Sequence, residues 1–286
     1  MALTMKTNII DLIVRLALRE DVGGKDITST ALIPPSLHIK ADIEFQETGV
    51  VCGIGITERV FRIVDENLRF LPVAKDGEMA EKGREVAYIE GSALSLLIAE
   101  RTALNFLGRL SGIATQTREF VEKVKGTKVK ILDTRKTTPN FRVLEKYAVM
   151  IGGGSNHRFG LYDQALIKDN HLRILRKDSI PAIVARVRKG ALKSTIVGIE
   201  VKNLAELKEA LKSGPDYILL DNMAPVTVEQ AVALRKEMAP AIPLEVSGGI
   251  NLDNVLDYAQ TGVDRISVGA LTHSARSLDV SLNIVG

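Results

Sequence analysis

The stretch TIVGIEVKNLAELKEALKSGPDYILLDN, residues 195–222, decides the fold class. An apolar, β-branched run ends near Glu200, a helix-compatible segment follows, Gly214 and Pro215 punctuate it, and a second apolar run ends at Asp221. Strand, helix and strand at roughly 20-residue spacing form a βαβ unit with parallel strands. From residue 128 the rhythm repeats: KVKILDT, MIGGG, ALIKD, TIVGIEV, YILLDN, PLEVSGG and RISVGAL read as strands, with NLAELKEALKSG, TVEQAVALRKEM and NLDNVLDYAQTG as helices between the later ones. That many units imply a parallel α/β barrel rather than an open sheet, and barrel chemistry sits in the loops after the strands' C-terminal ends.

Upstream, NIIDLIVRLALRED carries Ile9, Ile10, Ile13, Leu16 and Ala17 at helical spacing. Short alternating segments around KDGEMAEKG read as a small α/β unit. The long helical stretch SLLIAERTALNFLGRLSGIATQTREFVEKV is expected to break near Ser111-Gly112, which divides the chain into domains 1–112 and 113–272.

The chain has 286 residues, 45% of them apolar, which suffices for a packed core. Its 38 basic and 35 acidic residues nearly cancel, and aromatics make up only 4%, so neither a nucleic-acid coat nor a base-stacking groove is indicated. Cys52 is the sole cysteine and cannot form an intrachain disulfide. Asp11 and Arg15 interrupt the N-terminal apolar residues, and no apolar run reaches the ~18 residues of a membrane span, so a cytoplasmic protein is expected.

The strand ends carry a consistent set of groups. After the first barrel strand stand Arg135 and Lys136, after the second His157 and Arg158, and after the third Lys168 and His171. The fourth and fifth strands end at Glu200 and Asp221. The last two run into Ser247-Gly248-Gly249 and Gly269-Ala270. Glycines ahead of a helix leave backbone N–H groups open to a phosphate, although the same glycines also suit tight βα loops. Paired acids suit a sugar diol or water-held Mg²⁺, although acids also cap helices. Arg forks match carboxylates, whereas Lys acts as a compact point charge. His157 and His171 are too far apart for a local metal-ligand pair, and no Cys joins them. These groups together specify an enzyme for a sugar phosphate plus a second, multiply anionic molecule.

EDVGGKDITS, ERTALNFLGRLSGIATQTREFVE, DTRKTTP, LEKYAVMIGGGSNHRFGLYDQALIKDNH, LLDNM, EVSGGI and SVGALTHSARSLDVSL closely resemble quinolinate phosphoribosyltransferases, in the family's order and over nearly the whole chain. The resemblance implies an N-terminal α/β sandwich domain, rejoined by the tail 273–286, plus an incomplete α/β barrel. It implies transfer of phosphoribosyl from phosphoribosyl pyrophosphate to quinolinate with decarboxylation, using Mg²⁺, in a homodimer or higher even homo-oligomer with shared sites. By the same resemblance, Arg135, His157, Arg158 and Lys168 bind the quinolinate carboxylates, with Arg101 entering from the partner subunit. Lys136 faces the pyrophosphate, Glu200 and Asp221 the ribose hydroxyls and magnesium, and Ser247, Gly248, Gly249, Gly269 and Ala270 the 5-phosphate, with His273 nearby. Lys136, Lys168, Glu200 and Asp221 are the residues closest to the chemistry.

Two departures from the family pattern stand out: Asn140-Phe141 where Gly commonly follows TTP, and Lys202 where an acid is frequent. The rival readings are a molybdenum-transport-associated paralogue with another substrate, and a non-catalytic sugar-phosphate-binding barrel. The intact LIKDNH segment with Lys168 weighs against the first, and joint retention of Arg135, Arg158 and Lys168 against the second.

Overall fold

A computed structural model describes residues 2–285. The chain begins α1 (Ala2–Val22), α2 (Ile27–Leu32), β1 (His38–Phe45), β2 (Gly49–Val50), α3 (Ile54–Val64) and β3 (Arg69–Pro72). It continues with β4 (Met79–Ala80), β5 (Glu85–Ser92), α4 (Ala93–Lys123), β6 (Lys130–Leu132), α5 (Arg142–Ile151) and β7 (Gln164–Ile167). Next come α6 (Asp169–Ile174), α7 (Ile180–Gly190), β8 (Ile196–Val201), α8 (Leu204–Ser213), β9 (Tyr217–Asp221) and α9 (Pro225–Met238). The last elements are β10 (Leu244–Ser247), α10 (Val255–Gln260), β11 (Arg265–Ser267), α11 (Ala270–His273) and β12 (Val280–Val285).

The chain forms two compact units, one of Met1–Arg118, Thr137–Gly153 and Ser274–Gly286, the other of Glu119–Lys136 and Gly154–His273. The first unit holds an antiparallel sheet ordered β12-β1-β5-β3. The tail closes it, with Phe45 opposite Val280 and Lys40 opposite Val285. Ala41, Ile43 and Phe45 bury one face of β1 in two-residue alternation. On the other face Asn283 donates to Asp42 at 3.0 Å.

Helix α4 runs unbroken through Ser111-Gly112, contrary to the break expected there. The glycines that suggested a break serve close approach instead. A Cβ at Gly108 would lie 2.5 Å from the Leu278 carbonyl oxygen, and one at Gly112 only 1.9 Å from that of Arg276. The returning tail thus lies against the helix backbone, and Leu278 donates to the Gly108 carbonyl at 3.0 Å.

Helix α1 forms as its spacing indicates, but a different stripe is buried. Val14 and Leu18 are covered, whereas Ile9 and Leu16, together with Leu12, are exposed. The orientation is fixed by Asp11, which accepts two 2.6 Å bonds from the Arg59 guanidinium of α3. Those bonds hold the Asp11 carboxyl below its usual value.

The second unit contains a parallel six-stranded sheet ordered β6-β11-β10-β9-β8-β7, barrel-like in its alternation with helices. MIGGG is not a strand. Met150 and Ile151 end α5, whose Leu144, Ala148 and Val149 are buried at helical spacing, and Gly153 turns the chain at φ 95°. Among the described residues a single bridge, Leu132 to Ser155, continues the strand pairing there. The helix expected from Asn251 starts at Val255, because Asn251 and Asn254 first build a side-chain-bonded turn. No helix among the described residues is long and apolar enough to cross a membrane.

Candidate active site

The C-terminal ends of the parallel strands surround a cavity of about 460 Å³ lined by Arg135, Lys136, His157, Arg158, Lys168, Glu200, Asp221, Ser247, Gly248 and Gly249. The structure therefore gathers most of the residues singled out at the strand ends. The register explains how. Glu200, Leu219 and Glu245 fall on the cavity side of β8, β9 and β10, and two residues further on Asp221 and Ser247 do so again.

One wall is cationic. Arg158 is 6% exposed and donates to the Gln164 carbonyl at 3.2 Å. Burial, and then the neighbouring Arg135 guanidinium, depress its pKa from the ordinary arginine value. Two like charges held together in a partly desolvated wall favour an anion that binds both. Asp133 is fully buried and ties the end of β6 to the loop carrying Arg158, accepting from the His157 backbone N–H at 2.8 Å.

The other wall is acidic. Glu200 is 8% exposed, and burial raises its pKa, while Lys168 at 3.6 Å opposes the rise and Asp221 adds to it. Asp221 accepts from the Asn222 side chain at 2.9 Å. Asn222 itself adopts φ 54°, and its side chain fills the space a Cβ on Gly248 would need, at 2.2 Å. Gly248 at φ 104° and Gly249 at φ 64° take backbone conformations that favour glycine. Asp221 and Glu200 supply hard oxygen donors that suit Mg²⁺. Among the described residues no group of three His, Cys, Asp or Glu side chains could hold a metal ion, so the pair fits an ion sharing water and substrate oxygens.

Gly269 stands beside Lys136 of the cavity, with His273 against it. A Cβ on Gly269 would lie 3.0 Å from His273 Nε2 and 3.2 Å from Lys136 Cδ. Thr272 donates to the Lys136 carbonyl at 2.7 Å, tying α11 to the loop after β6. Arg101 lies on α4, exposed, with Glu100 at 3.8 Å.

A family model for the C-terminal domain of quinolinate phosphoribosyl transferase matches residues 113–283, and one for the N-terminal domain matches residues 26–111. The chain belongs to the quinolinate phosphoribosyltransferase family. It is 42% identical over 266 residues to a probable nicotinate-nucleotide pyrophosphorylase [carboxylating] of Bacillus subtilis, covering 93% of this chain and 90% of that protein. It is 41% identical to the nicotinate-nucleotide pyrophosphorylase [carboxylating] of Mycobacterium leprae, covering 95% of each. The crystal structure of NadC from Streptococcus pyogenes superposes with a TM-score of 0.91 at 40% identity, covering 97% of each chain.

Within that family frame, both departures acquire a physical account. Asn140 adopts φ 62°, the left-handed conformation a glycine would take there and one that asparagine tolerates. Phe141 stacks on Phe106 with ring centroids 5.7 Å apart. Lys202 pairs with Asp169 at 2.8 Å, the residue next to Lys168, and so joins the loop after β7 to the end of β8. The cavity of this quinolinate phosphoribosyltransferase family member also contains residues that strand-end reasoning passed over: Glu245, Asn222 and Ser267. Glu245 could have been found by stepping back two residues from Ser247 along the same strand face.

Proposed function

We propose that this chain works in the cytoplasm as a homodimer with shared sites, using the cationic wall for quinolinate and the acidic wall for phosphoribosyl pyrophosphate and Mg²⁺. The reaction transfers phosphoribosyl to quinolinate with decarboxylation, giving nicotinate mononucleotide, pyrophosphate and carbon dioxide, a step of de novo NAD synthesis. The observation that carries the assignment is that one cavity gathers Arg135 and buried Arg158 together with Glu200 and Asp221. A non-catalytic phosphate-binding barrel has no use for that pair.

Arg135, Arg158 and Lys168 receive the two carboxylates and aim the pyridine nitrogen at ribose C1. The nitrogen lone pair forms the new bond as the C1–oxygen bond breaks, and both electrons leave with pyrophosphate, which Lys136 neutralises. Holding two reactants in line in this way supplies ~7–11 kcal/mol of the barrier. Glu200 and Asp221 accept from the ribose hydroxyls, and the glycine loops at Gly248-Gly249 and Gly269-Ala270 take the 5-phosphate. Glu200 and Asp221 would hold Mg²⁺ together with water and substrate oxygens, and the ion would supply positive charge to offset the negative charge developing on pyrophosphate. The bond from the ring carbon to the adjacent carboxylate then breaks, carbon dioxide leaves, and the electron pair stays on that carbon, stabilised by the neighbouring cationic nitrogen, until the carbon takes a proton.

Nicotinate lacks the carboxylate beside the ring nitrogen, so binding it leaves a buried cation unpaired at a cost of order 2–5 kcal/mol. Nicotinate is expected to be a very poor substrate. Comparable kcat/KM for the two acids would overturn the assignment of the cationic wall.

A further inference from the structure

Glu245 is a cavity residue that the reaction scheme leaves without a task. It is fully buried on β10, between Leu219 of β9 and Arg265 of β11 in register. Its Oε1 accepts from the Ser267 hydroxyl and lies 3.2 Å from His157 Nε2. Its Oε2 has no hydrogen-bond partner among the described residues, and the side chain lines the cavity.

The other side of His157 is equally committed. The Arg158 backbone N–H donates to His157 Nδ1 at 2.6 Å. An Nδ1 that accepts carries no proton, so the ring N–H sits on Nε2, facing Glu245. Tyr217 confines the ring from β9, with its hydroxyl 3.4 Å from Nε2 and its ring edge-on at a centroid distance of 5.8 Å. Gly198 makes room for Tyr217, since a Cβ there would lie 2.2 Å from the phenol carbon. Arg265 covers the Tyr217 ring at 5.4 Å. An imidazole with one donor and one acceptor has spent both on the protein, whereas Arg158 retains a guanidinium on the cavity wall.

We infer that Glu245 is a positioning residue: it locks His157 in the form protonated on Nε2, and the locked ring holds the Arg158 backbone in place. His157 then serves quinolinate through Arg158 rather than by touching it, which replaces the direct carboxylate contact implied for His157 by resemblance. The role in binding rests on the cavity being the quinolinate site, but the form of the ring does not.

Nitrogen NMR of protein labelled in its histidine rings reads that form directly, with His157→Gln assigning the signal. The native protein should show His157 protonated on Nε2, before and after saturation with quinolinate. Glu245→Ala should lose that pattern and weaken quinolinate binding at least about tenfold, a usual scale for losing an orienting partner, with phosphoribosyl pyrophosphate affinity within about twofold. Glu245→Gln, whose carbonyl can still accept from Nε2, should restore the pattern and most of the affinity. A native ring protonated on Nδ1, or one that gives up the Nε2 proton pattern when quinolinate binds, would overturn the inference even if Glu245→Ala fails to fold. Equal losses for both substrates would also overturn it. Quinolinate failing to bind the native protein would remove the assignment of the cavity, and with it the binding role of Glu245, while leaving the ring result readable.

Discussion

Glu200 shows how a site residue is maintained at the expense of the fold. Its carboxyl is buried, and burial is the largest influence raising its pKa, with Lys168 only partly compensating. Between the ordinary glutamate pKa and the raised folded value, the folded state binds more protons than the unfolded chain. Stability contributed by this group therefore falls as pH rises through that window. Glu200→Gln removes the buried charge, and the Lys168 it leaves behind is about half exposed and hydrated. Glu200→Gln is expected to raise Tm at neutral pH, at roughly 2–4 °C per kcal/mol for a chain of this size class, while lowering turnover. Scanning calorimetry at acid and neutral pH checks the sign: the advantage of the variant should shrink at low pH. A variant equally or less stable at neutral pH would show that the Lys168 pair outweighs burial.

Among the elements, the barrel strands were legible in sequence because parallel strands covered on both faces read as continuous apolar runs: IVGIEV and YILLD became β8 and β9. The residues at and just past the strands' C-terminal ends were legible for the same reason, which is why Arg135, Lys168, Glu200 and Asp221 could be named. MIGGG misled because the buried end of α5 followed by glycines imitates a short strand and its loop. Glu245 escaped because a fully buried acid inside an apolar run carries no loop signal. Helix α4 misled in the opposite sense, since Gly112 looked like an end and is a contact. At Gly112 a methyl group meets the Arg276 carbonyl at 1.9 Å, so Gly112→Ala should destabilise by about 1–3 kcal/mol or more. Gly55 lies in α3, where a Cβ would meet nothing within 4 Å, and Gly55→Ala should instead stabilise by about 0.4–1 kcal/mol. Chemical denaturation of the two variants measures both. Equal effects would mean that the tail does not pack against α4 as described.

At the scale of the whole molecule, the proposed homodimer gives a task to Arg101, which is exposed on α4. If Arg101 of the partner subunit completes each cavity, Arg101→Ala and Lys168→Ala should each be nearly inactive yet damage different halves of a shared site. After reversible dissociation and random re-pairing, half the dimers are mixed, and each carries one intact site. Activity should return to about a quarter of the unmodified value. Subunit exchange without any recovery would show that Arg101 acts within its own chain, or not at all. The central claim, that the cavity joins quinolinate to phosphoribosyl pyrophosphate and releases one carboxylate, is tested most directly by its products. The protein should be incubated with phosphoribosyl pyrophosphate, Mg²⁺ and quinolinate labelled with carbon-13 in the carboxylate beside the nitrogen, and followed by carbon and phosphorus NMR. The account predicts nicotinate mononucleotide, pyrophosphate and labelled carbon dioxide in equal amounts, all lost together in Lys168→Ala. Quinolinate that binds but is never converted, or a nucleotide product that keeps its label, would contradict it.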